Sequence, residues 1–172
     1  MDTEEPVGLL IGTVRSRIRQ AVGSRVQRYH LSSQQFWILV AIYEHPGFSL
    51  GELAAHLHMD TPTASRLVFA LMKRKLVEVR DDAADRRRAC LHLDARGAAL
   101  GAELHELATT VRAAVVQGFS RTQLATLRGL LRKIVANMDE FQNGKAPDDE
   151  DSTRSPARSA PRPARRMGAG RS

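Results

Sequence analysis

The sequence predicts a mainly α-helical protein with a small β wing of two or three strands, arranged as a winged helix-turn-helix with further helices at both ends. Two short helical patterns follow one another between residues 49 and 73. An alternating strand, a basic turn and a second strand come directly after them, ending at Leu93. The order helix, helix, strand, basic turn, strand is much more specific than a helix-turn-helix pattern alone.

The two short helices have clear start signals. Ser49 and Glu52 stand three residues apart, the spacing of a capping box, in which a hydroxyl and a carboxylate satisfy each other's unpaired N–H groups. Asp60 precedes Thr61 and Pro62, so a carboxylate can cap the second helix while proline occupies its first turn, where a missing N–H costs nothing. We therefore expect two consecutive helices here.

The second of these helices has an apolar and a polar side. Its apolar residues recur at intervals of three and four and are Ala64, Leu67, Val68, Leu71 and Met72. Thr61, Thr63, Ser65 and Arg66 lie outside this stripe, toward the N-terminal end of the helix. That end is the part of a recognition helix that enters the major groove of DNA. We therefore predict that these four polar residues contact DNA.

A basic hairpin follows the second helix. Residues 76–80 alternate apolar and polar, as in a strand half covered by a core, and the turn after them is too polar to bury. The turn contains Asp85, Arg86, Arg87 and Arg88. Guanidinium groups pair with phosphate oxygens in fixed geometry, so we predict that these arginines contact the DNA backbone or the minor groove. Asp85 can hold the neighbouring Arg86 in one orientation. An ordinary solvated turn is the alternative.

Long helical patterns lie on both sides of this segment. They predict helices over about 6–28, 33–44, 95–117 and 121–143. One winged module cannot cover all of their apolar faces, and leftover apolar surface at both chain ends is explained by pairing with a second copy. A monomer whose terminal helices cover only its own core is the alternative.

These patterns predict one folded domain and a tail. We assign 33–93 to the DNA-binding winged module of a domain spanning 1–144, and 1–30 and 95–143 to dimerisation helices. From Lys145 onward the chain is rich in Pro, Ser, Ala and Arg, so we expect 145–172 to be a disordered basic tail. Mobile arginines there could add phosphate contacts without sequence preference.

Composition limits the class of protein. The formal net charge is +7, which favours a polyanionic partner but carries no specificity. The one cysteine rules out an internal disulfide framework. No apolar run is long enough to cross a membrane, and the acidic N-terminus lacks the pattern of a secretory signal. We therefore expect a cytoplasmic protein without a membrane partner.

The residues from about Val7 to Phe141 resemble the MarR (multiple antibiotic resistance regulator) family of winged helix-turn-helix transcription factors. The resemblance is carried by "TASRLV", "LMKRKLVEV", "DRRR" and "LDARG", in the order and spacing of that family's recognition helix, first wing strand, wing tip and following helix. It implies a homodimer on a short pseudo-palindromic operator in double-stranded DNA. Such proteins are often repressors, and many release DNA when a small phenolic or other aromatic anion binds.

The resemblance also implies roles for individual residues. The four polar residues of the second helix take the places of base- and phosphate-contacting residues. Asp85 takes the place of a wing aspartate that braces an arginine, and Arg86 and Arg87 those of arginines that enter the minor groove.

An effector pocket is a further expectation. In the family, such a pocket is bounded by the first, second and fifth helices. The resemblance therefore makes Arg15, Arg19, His30 and Trp37 candidates to meet an aromatic anion. The alternative is that Trp37 belongs to an aromatic stripe of the core.

Other chemistries find little support. The six histidines and the acidic residues show no metal-ligand spacing, so we expect no metal and no cofactor. Cys90 lies on the return strand and is more typical of a structural residue than of a redox sensor. Neither a nucleophile paired with a base nor a glycine-rich phosphate loop is present, so we expect no enzyme. A non-specific or architectural DNA-binding protein without an effector remains the alternative function.

Overall fold

The structure is a computed structural model and describes residues 5–81 and 88–144. The predicted wing-tip residues Asp85, Arg86 and Arg87 and the tail 145–172 lie outside the described residues. The elements in chain order are α1 (Val7–Val26), α2 (Ser33–Glu44), α3 (Leu50–His56), α4 (Thr61–Lys73), β1 (Val77–Asp81), β2 (Ala89–Leu93), α5 (Ala95–Val115) and α6 (Arg121–Gln142). A mainly helical fold with a two-stranded sheet confirms the predicted fold class.

The described residues fall into two compact units, one that ends at Phe119 and one that begins at Ser120. The first contains the helix-turn-helix, the wing, α1 and α5. In the second, α6 is the helix that the structure describes.

The helices begin where their capping residues predict. Ser49 and Glu52 form the expected capping box, and the Asp60 side chain accepts from the N–H of Thr63 at the start of α4. At the start of α2, Ser32 forms a capping box with Gln35. These side chains satisfy N–H groups that a helix cannot pair internally, so they set the start of each helix.

Helix α2 is the centre of the core. Its residues Phe36, Ile38, Leu39 and Ile42 are almost completely buried, and α2 packs most extensively against α5, which contributes the buried Leu104. This burial fits its sequence, which is apolar on nearly all sides. The helix-turn-helix and the wing are therefore built on a rigid central helix.

The wing sheet is antiparallel, with Val77 opposite Leu93 and Asp81 opposite Ala89. The loop between α2 and α3 extends it, because the N–H of Leu91 donates to the carbonyl of Phe48 at 2.8 Å. The alternating pattern predicts that Val79 is covered by the core, but its side chain is 44% exposed. The reason is that the wing leaves the core beyond Val77.

Helices α1, α5 and α6 match their predicted positions, with ends that differ by about two residues. α1 stops at Val26 and continues as a 3₁₀ turn over Gln27–Tyr29, and α5 stops at Val115. Large apolar side chains are exposed along two of these helices. On α1 they are Val7, Leu9, Leu10, Ile11 and Val14, and on α6 they are Leu127, Leu130, Leu131, Val135, Met138 and Phe141.

Candidate nucleic-acid interface

Helix α4 presents a polar surface opposite its buried side. Ala64, Val68 and Leu71 are buried in the core, in line with the predicted apolar stripe. Of the four predicted contact residues, Thr61, Ser65 and Arg66 are exposed and Thr63 is half-buried. The structure therefore places all four along one accessible part of a well-anchored helix.

The N-terminal end of α4 is held by a local hydrogen-bond network. Asp60 Oδ1 accepts from the N–H of Thr63 at 2.8 Å, and this bond lowers the pKa of Asp60 from its usual range. Arg66 lies one turn further along the helix, and its Nη2 donates to Thr63 Oγ1 at 3.1 Å. The exposed guanidinium is thus partly oriented, which reduces the entropy lost when it meets a base or a phosphate.

Phe69 is an exposed residue of α4 that the sequence interpretation missed. Its ring is 58% exposed, and the ammonium of Lys73 lies 4.7 Å from the ring centroid. Its exposure could have been predicted from the sequence, because Phe69 stands three and four residues after Arg66 and Ser65 and therefore lies outside the apolar stripe.

The C-terminal end of α4 is tied to the turn after α1. Arg74 Nη1 donates to the carbonyl of His30 and Nη2 to the carbonyl of Tyr29, both at 2.8 Å. His30 has a left-handed backbone, with a φ of 52°. The end of α1 and the end of α4 are therefore linked through one arginine side chain.

The chain just before β2 is joined to α3. Arg88 Nη2 donates to Oε1 and Oε2 of Glu52 at 2.8 and 2.6 Å. The pKa of Glu52 falls to about 2, because its carboxylate accepts from the backbone N–H of Ser49, from Arg88 and from the Ser49 hydroxyl. Arg88 was predicted to contact DNA with Arg86 and Arg87. The structure shows its contact with Glu52, and the DNA contact stays a prediction.

A cleft of about 780 Å³ lies beside this ion pair. His45 and Phe48 line the cleft and stack with ring centroids 4.8 Å apart, and the ring of His56 lies 5.0 Å from that of His45. Cys90 lines the same cleft and is buried. Among the described residues, no group of three or more His, Cys, Asp or Glu side chains could hold a metal ion.

The four predicted effector residues lie on α1, on the turn after it and on α2. Arg15 and Arg19 are exposed on α1, and His30 is exposed on the turn after the α1 helix. Trp37 is half-buried against the core and meets Phe36 edge to face at 4.7 Å. Within the described part of the chain, these four side chains form no hydrogen bond, ion pair or ring contact with one another.

A charged cluster that sequence spacing did not reveal joins α2 to α5. Arg112 donates to both carboxylate oxygens of Glu44, at 2.5 and 3.0 Å, and its guanidinium carbon lies 5.7 Å from the Trp37 ring centroid. The hydrogen bond from Arg112 lowers the pKa of Glu44, and the same contact raises the pKa of Arg112. His105 Nδ1 is 3.1 Å from Glu44 Oε1, in a geometry that does not form a hydrogen bond.

A second cleft, of about 350 Å³, lies between the end of α1 and α5. The Tyr29 hydroxyl donates to Glu103 Oε2 at 2.7 Å, and this hydrogen bond raises the pKa of Tyr29. Arg25 and Arg28 also line the cleft, so cationic side chains and a phenol meet a carboxylate there.

In the described ranges, no helix is long and apolar enough to span a membrane.

Sequence comparison connects this geometry to known proteins. A profile of the MarR family matches residues 30–88, from the turn before α2 to the start of the return strand. The transcriptional repressor NicR of Pseudomonas putida is 28% identical over 134 residues, which cover 78% of this chain and 85% of NicR.

Solved structures resemble the fold. The Staphylococcus aureus MepR–DNA complex superposes with a TM-score of 0.68 at 21% identity, covering 77% of this chain and 98% of MepR. Bordetella bronchiseptica BpsR, whose DNA binding is regulated by 6-hydroxynicotinic acid, superposes with a TM-score of 0.64 at 26% identity, covering 78% of this chain and 96% of BpsR.

Proposed function

We propose that the chain is a transcriptional regulator of the MarR family, and that it is a homodimeric repressor that binds a pseudo-palindromic operator in double-stranded DNA. A regulator of this kind acts on DNA in the cytoplasm. Each protomer inserts the N-terminal half of α4 into the major groove, and the arginines of the wing contact the adjacent backbone or minor groove.

The main support is the asymmetry of α4. One side of this helix is fixed in the core through Ala64, Val68 and Leu71, while Ser65 and Arg66 are exposed on the other. A helix held in this way can enter a groove without unfolding any part of the core. Hydroxyl and guanidinium groups at its N-terminal end can donate to base edges and phosphates.

A dimer is supported by exposed apolar surface. Leu130 and Val135 of α6 are 57% and 58% exposed, and Leu9 of α1 is 62% exposed. Contact between copies through these helices removes that surface from water. A two-fold dimer would then present its two α4 helices to successive major grooves, about 34 Å apart.

We further propose that a small aromatic anion relieves repression. The support is the relative BpsR, whose DNA binding is regulated by 6-hydroxynicotinic acid. Arg15 and Arg19 could attract a carboxylate, and Trp37 and His30 could stack on an aromatic ring. The direct test is titration of the protein–DNA complex with 6-hydroxynicotinic acid. Benzoic acid serves as the matched aromatic carboxylate.

Non-specific or architectural DNA binding is the competing function, supported by the basic tail 145–172 and the net charge of +7. Affinity for selected DNA relative to random duplex separates the two functions. A sequence-specific regulator should bind selected DNA about 10³-fold or more tightly than random duplex. A non-specific DNA-binding protein should bind the two with a ratio near one.

The experiment recovers genomic fragments bound by the full chain and measures both affinities at one salt concentration. Sedimentation of the same preparation gives the number of copies per operator. Two copies on a site with two-fold symmetry support the proposal, whereas a single protomer or an affinity ratio near one contradicts it.

A further inference from the structure

We infer that Phe69 reads thymine, with its ring against the C5-methyl group of a thymine in the major groove. The inference rests on the proposed DNA binding and adds a specificity determinant to it. It concerns this chain's own residue, on a side of α4 that also presents the exposed polar residues Ser65, Arg66 and Lys73.

The position of Phe69 on α4 carries the argument. Residues three and four apart share one side of a helix, so Phe69 lies one turn beyond Ser65 and Arg66 on the side opposite the buried Ala64 and Val68. The ring is 58% exposed, although an aromatic side chain of this size is normally buried. It is therefore available to whatever the polar side of α4 contacts.

Lys73 holds the ring in place. Its ammonium lies 4.7 Å from the ring centroid of Phe69, four residues earlier on the same side. A cation over an aromatic face restricts the ring, so less entropy is lost when the ring meets a ligand. The lysine also keeps a positive charge beside the ring, where it can attract phosphate.

The chemistry of the major groove selects the partner of an apolar ring. Adenine, guanine and cytosine present hydrogen-bond donors or acceptors there, whereas thymine also presents a methyl group. A phenyl ring cannot hydrogen-bond to a base edge, but it can bury that methyl. Arg66 and Ser65 supply the hydrogen bonds that Phe69 lacks, so the three residues together would read adjacent positions.

The test begins with selection from a random duplex library by the full chain. Phe69→Ala, Phe69→Leu and Phe119→Ala are selected in parallel. Phe119 is the matched control, because its ring is 47% exposed but lies outside α4. We expect wild type, Phe69→Leu and Phe119→Ala to select the same thymine in each half-site, and Phe69→Ala to lose the preference at that position alone.

The decisive step replaces that thymine by uracil, which removes only the methyl group. Loss of a buried methyl is expected to weaken wild-type binding about fourfold for each contacted thymine. Phe69→Ala should bind the two duplexes equally, and Phe69→Leu should keep most of the discrimination. A loss confined to this thymine, with the rest of the selected motif unchanged, would not follow if alanine acted by damaging the fold.

Four results would overturn the inference. A wild-type motif without a thymine in each half, or wild-type affinity unchanged by uracil, excludes the methyl contact while leaving the proposed regulator intact. If Phe69→Ala selected the wild-type motif, the ring would not contact DNA and would serve another partner, such as a protein. If wild type selects no motif, the proposed function fails and the inference fails with it.

Discussion

Arg88 and Glu52, 36 residues apart, form a two-oxygen ion pair that ties the beginning of β2 to the first helix of the helix-turn-helix. Glu52 also accepts from the backbone N–H of Ser49 at 2.8 Å, so one carboxylate both caps α3 and anchors the wing. The position of the wing relative to α4 therefore depends in part on the charge of a single side chain.

Acid should weaken this anchor. The pKa of Glu52 is lowered from 4.5 to about 2 in the folded chain, so its contribution to stability is complete above about pH 4.5 and is lost as the pH falls toward 2. Glu52→Gln keeps an amide that can cap α3, as Gln35 does for α2, but it removes this proton linkage. We expect the free energy of unfolding of Glu52→Gln to fall less steeply between pH 4.5 and 2 than that of wild type, measured by urea denaturation.

The control for this experiment is Glu106→Gln. Glu106 is exposed and forms no ion pair within the residues that the structure describes. Its variant should follow the wild-type pH dependence. A Glu52→Gln curve parallel to wild type over the whole range would show that the carboxylate is not linked to folding.

The wing arginines should set the salt dependence of DNA binding. Arg86→Ala with Arg87→Ala should weaken binding to all duplexes, because phosphate contacts release counterions regardless of sequence. The slope of log K against log salt should decrease in magnitude by about one unit for each phosphate that the variant no longer neutralises. Fluorescence anisotropy at four salt concentrations measures it. A slope equal to that of wild type would exclude the wing tip from the interface.

Residues at the start of α4 should control discrimination instead. Arg66→Ala should relax the preference among operator variants by about 1–3 kcal/mol at the base it contacts. Thr63→Ala removes the hydroxyl that accepts from Arg66, so a smaller change at the same base is expected. Competition binding with single-base operator variants gives the values. Uniform weakening across all variants would mean that Arg66 contacts phosphate rather than a base.

Gly97 should be intolerant of any side chain. A Cβ there would overlap the carbonyl oxygen of Leu76 and lie 2.8 Å from its carbonyl carbon. Because the obstacle is backbone, Gly97→Ala should separate α5 from the start of the wing and destabilise the protein by about 1–3 kcal/mol or more. Gly51→Ala, where the same atom meets open space, should raise the stability by up to about 1 kcal/mol. Thermal unfolding of both variants is the measurement.

Local signals predicted most of the fold. The Ser49–Glu52 box and the Asp60 cap each act over three residues, and the structure confirms both. Helix ends were harder to predict, because the end of α1 depends on how the 3₁₀ turn meets Arg74, a contact that spans about 45 residues. Apolar spacing alone continued α1 to about Arg28.

The exposure of the candidate residues was predicted where it depends on local geometry, and contacts that depend on long-range pairing were missed. Thr61, Ser65 and Arg66 follow from helical spacing and are exposed as expected. Arg88 looked like one of three equivalent arginines, and its pairing with Glu52 follows only from the return of β2 to α3. The Arg112–Glu44 pair spans 68 residues and could not be found by spacing.

The acceptors of Arg74 are the main-chain carbonyls of Tyr29 and His30. Every amino acid supplies a carbonyl. The residues at positions 29 and 30 can therefore change without loss of the two hydrogen bonds from Arg74, provided that the turn keeps its backbone conformation. Arg74 itself cannot change in this way. Its acceptors are main-chain carbonyls, so no charge reversal at a second position can compensate for its loss. A saturation library of this chain should therefore show a narrow range of tolerated residues at position 74, with no compensating second position.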